Sequence, residues 1–339
     1  MRHYGIPHKL VKLIKGFYKD FKCTVDNDNF FDVKTGVRQG CVMSAFLFNL
    51  VIDWIMRRTT EEDTSRGIRW TLFTKLDDLD FADDLALLSH TQQHIQEKTD
   101  RLDRFGKQVG LRINTKKTEI MTLNVATPTT VKVNHTDLQH TDKFTDLGTI
   151  IRPEGGTKED ISSRLGKARN VFRSMDNVWR STQYTNGTKL RLYQSCVVST
   201  LLYGSECWRM TETELSKLRS FHTTCLRKIL RIFWPQKITN EDLLRRCGQE
   251  DMETTIKRRR WRWIGHVLRK EQGDIVRTAL HWTPDGKRRR GRPRTTWRRT
   301  VEGEMKDMRM TWGSLTKLAQ DRSQWRAFVA ALNTSRCNR

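Results

Sequence analysis

The stretch KLDDLDFADDLALLSH, residues 75–90, sets five carboxylates (Asp77, Asp78, Asp80, Asp83 and Asp84) within eight positions, beside the apolar run Leu85, Ala86, Leu87, Leu88. Hard oxygen donors suit Mg²⁺, which takes one or two carboxylates and fills its shell with water or substrate phosphate. Two such ions about 3.5–4 Å apart can clamp the attacking and leaving oxygens of a phosphoryl transfer. Consecutive residues on a strand face opposite ways, so an Asp-Asp pair serves one site best at a hairpin turn. Phe81-Ala82-Asp83-Asp84, between two apolar stretches, has that form. An EF-hand loop fails here, because its glycine and terminal glutamate are missing when counted from Asp78 or Asp80. The bland alternative is a solvated acidic turn, and the stretch alone only leans towards metal.

The surrounding pattern reads as a mixed α/β part followed by a helical part, an α+β chain. Residues 7–21 place Leu10, Ile14, Phe17 and Phe21 on one helical face, with Pro7 near the start. Two short strands around the turn formers Asp26 to Asn29 follow, then a loop GVRQG at 36–40 and a buried helix after Ser44. A helix from about Gln92 points Ile95, Leu102, Phe105 and Val109 inward, residues 111–123 read as strand, and a hairpin ends near Ile151. From 158 onward helical spacing dominates: Ile161 to Met175, Leu215 to Ile229, 254–269 and 315–332. The PEGG at 153–156 is the natural boundary between the two parts.

Charge is distributed as unevenly as the pattern. The 339-residue chain carries a formal net charge of +24, yet residues 1–125 hold 20 basic and 17 acidic side chains, so nearly all the excess lies beyond them. Within 251–300 there are 16 basic and 5 acidic residues. A polyanion partner follows, nucleic acid before an acidic membrane. No uninterrupted apolar stretch is long enough to span a bilayer, and the start lacks a signal peptide's apolar core. Seven scattered cysteines fit a reduced, intracellular protein of nucleus or cytoplasm, not a secreted one. Cys207, Cys225, Cys247, His222 and His266 could be imagined around zinc. With no CxxC pair, and Cys225 at helical spacing among Leu218, Phe221 and Ile229, packed core thiols are the better reading.

The basic surplus is interleaved with aromatics. Nine of eleven tryptophans lie at or after Trp179, several beside arginines, as in Arg258, Arg259, Arg260, Trp261, Arg262 and in Trp297, Arg298, Arg299. Arginine neutralises phosphates and exposed tryptophan stacks on bases, so these are candidate nucleic-acid contacts. Trp325 reads as core. Trp261 and Trp263 cannot share a helix face, so at least one is expected at the surface. RRRGRPR, with Arg288, Arg289, Arg290, Arg292 and Arg294, contains an RGRPR resembling the AT-hook core. A nonspecific phosphate-binding linker is the first reading of it, and a nuclear localisation signal a third.

Blocks spread along the chain resemble one family. FADD before an apolar strand resembles the catalytic hairpin of reverse transcriptases, and GVRQGCVMSAFLFN (36–49) their next most recognisable block. GLRINTKKT (110–118) is similar to their GLxxNxxKT block and KFTDLGTII (143–151) to the KYLG-type hairpin that grips the primer terminus. LYQSCVVSTLLYGSECW (192–208), RRRWRWIGHVLR (258–269) and GRPRTTW (291–297) resemble the region after the polymerase domain in non-LTR, LINE-type retrotransposons. The resemblance implies a partial palm, an antiparallel sheet with helices, over 1–152, a helical thumb or connection over 153–235, and a basic helical nucleic-acid-binding region over 236–339. It implies two-metal nucleotidyl transfer with Mg²⁺, an RNA template, a DNA primer and dNTP. Asp83 would be the principal metal ligand and Asp84 its partner. Arg38, Gln39, Gly40, Ser44 and Phe81 would line the nucleotide and template pocket, and Lys117 would approach the triphosphate.

Departures matter as much. The FDxxxAFD-like block that carries the family's other metal-binding aspartate would precede Met1, so the resemblance implies a truncated copy with an incomplete metal site, inactive alone. Ala45 stands where the family has proline, and Asp146 replaces the aromatic of the KYLG-type hairpin. The alternative function is a non-catalytic, basic nucleic-acid-binding protein.

Overall fold

The computed structural model describes all residues except 25–30, 34–35, 38–39, 61–65, 124–129, 154, 285–295 and 333–339. Two compact units divide the chain, Met1–Thr141 and Asp142–Arg339.

The first unit runs α1 (His8–Tyr18), β1 (Lys22–Cys23), β2 (Phe31–Asp32), α2 (Val42–Thr60), β3 (Ile68–Arg69), β4 (Lys75–Leu76), β5 (Asp78–Phe81), β6 (Asp84–Leu87), α3 (Gln92–Gln108), β7 (Glu119–Ile120), β8 (Lys132–Val133), β9 (Thr136–Asp137) and β10 (Gln139–His140). Ile52, Ile55 and Met56 of α2 meet Phe105 of α3 in a small core, onto which Leu85 and Leu87 of β6 pack. Thr91 caps α3, its hydroxyl accepting the His94 N–H at 3.2 Å. Val131, Val133 and Leu138 form a second cluster against Ile95.

Three expectations change in this unit. The inward face of α1 is centred on Val11, and Leu10 and Phe17 are exposed. Residues 111–123 form strand only at Glu119–Ile120. Asn114 bends the rest into a turn: its carbonyl accepts the Lys117 and Thr118 N–H groups at 3.0 and 2.9 Å, and its Oδ1 accepts the Lys116 N–H at 3.2 Å. The expected antiparallel sheet exists in pieces. Among the described residues the strands of the whole chain form six two-stranded ladders, five antiparallel and one, β7 with β10, parallel.

The second unit opens with the hairpin β11 (Phe144–Asp146) and β12 (Thr149–Ile151). It then runs α4 (Thr157–Ser174), α5 (Asp176–Arg180), α6 (Asn186–Leu192) continuing through a π turn to α7 (Ser199–Leu201), α8 (Glu212–Leu230) and α9 (Asn240–Cys247). The last helices are α10 (Met252–Leu268), α11 (Ile275–Ala279), α12 (Trp297–Asp307), α13 (Trp312–Gln320) and α14 (Arg322–Ala331). The β11–β12 hairpin belongs with this unit because Arg164 of α4 donates to the Gly148 carbonyl at 2.6 Å.

Two cores fill the second unit. Ile161, Leu165, Ala168, Phe172, Leu218, Cys225 and Ile229 are buried in the first, at the spacings the sequence prescribes. Cys225 and Cys247 pack as core thiols. Trp261, Ile264, Val301, Leu315 and Trp325 build the second core. The single helix expected over 315–332 is two, because Asp321 accepts the Ser323 and Gln324 N–H groups and starts a new one. Gly265 lies flat under Trp325, where a Cβ would overlap the indole. No helix among the described residues is long and apolar enough to cross a membrane.

Candidate functional site

The acidic stretch folds as the hairpin its sequence predicts. β5 and β6 pair antiparallel with Asp78 opposite Leu87, Leu79 opposite Ala86, Asp80 opposite Leu85 and Phe81 opposite Asp84. Ala82 and Asp83 are the two turn residues, and Ala82 takes φ 57°. Positive φ at the first central residue matches the right-handed twist of the strands, at some steric cost for a residue with a Cβ.

Directly opposed residues share a face, so the ladder sorts the acids. Asp78 and Asp80 lie on the side of Leu85 and Leu87, which pack on the α2–α3 core. Leu79, Phe81, Ala86 and Asp84 share the other side, where Leu79 and Phe81 are exposed. Asp83 occupies the tip between the two faces. Both Asp83 and Asp84 present their carboxylates to solvent.

The environment separates the other carboxylates. Asp78 is pushed up to about 6, first by burial, then by the neighbouring charges of Asp80 and Asp77, against the pull of Lys98. Asp77 is paired instead. The fully buried Lys98 of α3 donates to the Asp77 carboxylate at 2.5 Å, to the Asp77 carbonyl at 3.1 Å and to the Leu88 carbonyl at 2.8 Å. Its ammonium therefore clamps both ends of the hairpin, since Leu88 N–H also donates to the Asp77 carbonyl at 2.8 Å. Sequence reasoning passed over Lys98. The signal was its position between Ile95 and Leu102, on the stripe of α3 that faces inward.

The other candidates are scattered by comparison. Gly40 is exposed at φ 79°, which accounts for glycine by backbone conformation, and open space surrounds it. Ser44 is buried at the start of α2, its Oγ 3.4 Å from the Tyr18 hydroxyl, so it faces the interior and not a pocket. Lys117 is exposed on the Asn114 turn. Arg38, Gln39, Arg288, Arg289, Arg290, Arg292 and Arg294 lie outside the described residues.

In the basic helices the structure corrects two assignments. Trp261 is 0% exposed and Arg260 2%, so neither reaches a nucleic acid in this fold. Arg260 pairs with Glu304 and donates to the Trp208 carbonyl at 3.2 Å, and the Trp261 indole N–H donates to Glu304 at 2.7 Å. Trp263 is half-buried edge-on to Trp297 at 5.8 Å. Opposite faces of α10 are both covered because helices surround it on several sides: α8, α11, α13 and α14 all touch it. Arg258 is held by Glu250 and the Ala330 carbonyl, Arg259 by the Leu202 carbonyl at 2.8 Å, and Arg298 by the Leu280 and Trp282 carbonyls at 3.1 and 2.7 Å. Arg262 and Arg299 are exposed.

Residues 1–151 match the reverse transcriptase (RNA-dependent DNA polymerase) family. A transposon-derived protein of Caenorhabditis elegans is 27% identical over 274 residues, covering 77% of this chain and 97% of that protein. A retrovirus-related Pol polyprotein from the type-2 retrotransposable element R2DM of Drosophila melanogaster is 31% identical over 34% of this chain. One from the type-1 retrotransposable element R2 of Nasonia vitripennis is 27% identical over 48% of it. The aligned parts span only 11% and 17% of those two polyproteins.

Proposed function

We propose that the chain, whose residues 1–151 match the reverse transcriptase family, derives from the enzyme of a non-LTR retrotransposon, and that its acidic hairpin is the metal-bearing turn of a LINE-type, RNA-directed DNA polymerase. The observation that carries this is the turn geometry: Asp83 at the tip and Asp84 beside it, both exposed, with Phe81 opposite Asp84. Two adjacent carboxylates fit Mg²⁺, a hard cation that accepts one or two of them. Bound there, the ion would stabilise charge on a transferring phosphoryl group. Lys98 holds the turn in register; in this reading Gly40 and Phe81 would line the nucleotide and template pocket, and Lys117 would approach the triphosphate. The reaction is addition of a deoxynucleotide to a primer 3′ hydroxyl on an RNA template, with release of pyrophosphate.

The same reading assigns residues 1–152 to part of a palm, 153–235 to a thumb or connection and 236–339 to a basic nucleic-acid-binding region. Its phosphate contacts would be Arg262 and Arg299, together with Arg288, Arg289, Arg290, Arg292 and Arg294. One observation favours a second reading, a nucleic-acid binder without catalysis. Among the described residues no third metal-ligating side chain joins Asp83 and Asp84, and loss of one ligand from a two-metal site removes transition-state stabilisation of about 3 kcal/mol or more, over a hundredfold in rate.

Primer extension on a primed RNA template, with Mg²⁺ and dNTPs, decides between them. Incorporation that Asp83→Asn abolishes supports the polymerase. No incorporation from a folded chain that still retains the template supports the binder, and no retention either would sink both readings.

A further inference from the structure

Of the eleven tryptophans, ten are buried or half-buried, and Trp234 alone is exposed, at 81%. Its neighbour Phe233 is 62% exposed. They sit on the connection between α8 and α9, where the chain makes a turn closed by the Gln236 N–H donating to the Phe233 carbonyl at 2.9 Å. This turn is anchored at both ends. Ile232 is buried, and its N–H donates to the Arg227 carbonyl at 3.0 Å. The Arg227 guanidinium crosses to the far side, donating to the Ile238 carbonyl at 3.3 Å and to Asn240 Oδ1 at 2.8 Å. Ile238 packs against the core. Anchored in this way, the turn presents its aromatic pair to solvent.

The chain that carries the pair is basic. From 215 to 240 there are six Lys or Arg and no Asp or Glu. Lys237 holds its ammonium 5.4 Å from the Trp234 ring centroid. Arg231 ends α8 in the left-handed conformation, its guanidinium donating to the Arg180 carbonyl. A flat, exposed π-surface with a cation against it complements a polyanion that also carries flat, apolar faces. Single-stranded nucleic acid meets that description, because its unpaired bases stack on aromatic side chains while the backbone is neutralised alongside. A duplex hides those faces.

We propose that Trp234, with Phe233 beside it, is a stacking platform for an unpaired base of a single-stranded nucleic acid whose phosphates pass Lys237 and Arg231. This rests on the chain's nucleic-acid-binding role but not on catalysis. The sequence offers the residues, and the fold selects this tryptophan in place of Trp261.

The test is the affinity of the full chain for a short, fluorescein-labelled single-stranded RNA or DNA, and for the same backbone made abasic. Trp234→Ala should weaken binding of the base-bearing strand by about 5- to 150-fold, with Trp234→Phe keeping most of it. On the abasic strand Trp234→Ala and wild type should bind alike. The salt dependence should stay unchanged in Trp234→Ala and become shallower, by a slope of about 0.7, in Lys237→Ala. An exposed side chain leaves the fold intact, which matching unfolding midpoints would verify. If wild type and Trp234→Ala bind the base-bearing strand equally, the platform is wrong while nucleic-acid binding stands. Equal losses on both strands would also overturn it. If wild type binds neither strand, the nucleic-acid role falls with it.

Discussion

Asp78 and Asp83 are five residues apart in one hairpin, yet their surroundings give them different work. Asp83 sits in solvent at the tip, whereas Asp78 lies against the α2–α3 core, where burial favours its neutral form and lifts it to about 6. Its folded value lies above the ordinary carboxylate value, so between about pH 4 and 6 the native state binds more protons than the unfolded chain. Stability from this group therefore falls as pH rises through that window. Asp78→Asn should flatten this slope and stabilise the protein at pH 7 by on the order of 1 kcal/mol, allowing for solvent screening of a partly exposed group. Urea unfolding at pH 4.5, 5.5 and 7 measures it, and a slope unchanged by the substitution would refute it. Arg260 teaches a similar lesson. An arginine in a basic run looks like a phosphate ligand, but a 2% exposed guanidinium on Glu304 is part of the core.

Elements hold the site through few contacts. The β5–β6 ladder is a lone pair of four-residue strands, and an isolated hairpin of that length is marginal in water. Leu85 and Leu87 give it an apolar footing, and Lys98 fastens residues 77 and 88 to α3. Lys98→Met should strip the ammonium from the Asp77 carboxylate and the Leu88 carbonyl and cost about 3–5 kcal/mol, a large share of the total for a domain of this size. Amide exchange should speed up across 78–87 before the rest of the unit. Unfolding indistinguishable from wild type would mean that the leucines alone hold the hairpin. Backbone turns explain the element-level surprises: the Asn side chain at 114 and the Asp side chain at 321 each offer the backbone a local partner, stopping a strand in one case and a helix in the other.

At the scale of the whole molecule, the basic excess and the apolar mass lie in the second unit, which carries two cores of its own. At the centre of the first core Tyr193 and His222 pair at 2.9 Å between Oη and Nδ1, and His222 Nε2 has no hydrogen-bond partner among the described residues. Burial pulls His222 down to about 4. The unfolded chain then binds more protons between about pH 4 and 6.5, so this contribution is complete above that window and is lost as pH falls through it. The loss is on the order of 2–3 kcal/mol and should be smaller in His222→Gln, as thermal unfolding at pH 5 and 7 would show. The helical unit thus weakens in mild acid while Asp78 in the first unit gains, and a wild-type helical unit as stable at pH 5 as at pH 7 would contradict this.

The sequence by itself carried the likeness to reverse transcriptases over residues 1–151, the hairpin and the helical periodicity. FADD between apolar stretches has only one good arrangement, and Ile161 to Phe172 or Leu215 to Ile229 can hide their apolar stripes only as helices. It also located the positive charge, because charge is a sum over residue types. Exposure was decided by tertiary structure, since it depends on what packs against a side chain and not on the side chain's identity. α10 is wrapped by helices from distant parts of the chain, so Trp261 and Arg260 vanish into the interior, while Trp234, on a short anchored turn, is left in solvent. Lys98 shows the same rule from inside: a charged residue is buried where a carboxylate and two carbonyls from the hairpin meet it, partners that lie 10 to 21 positions earlier in the chain.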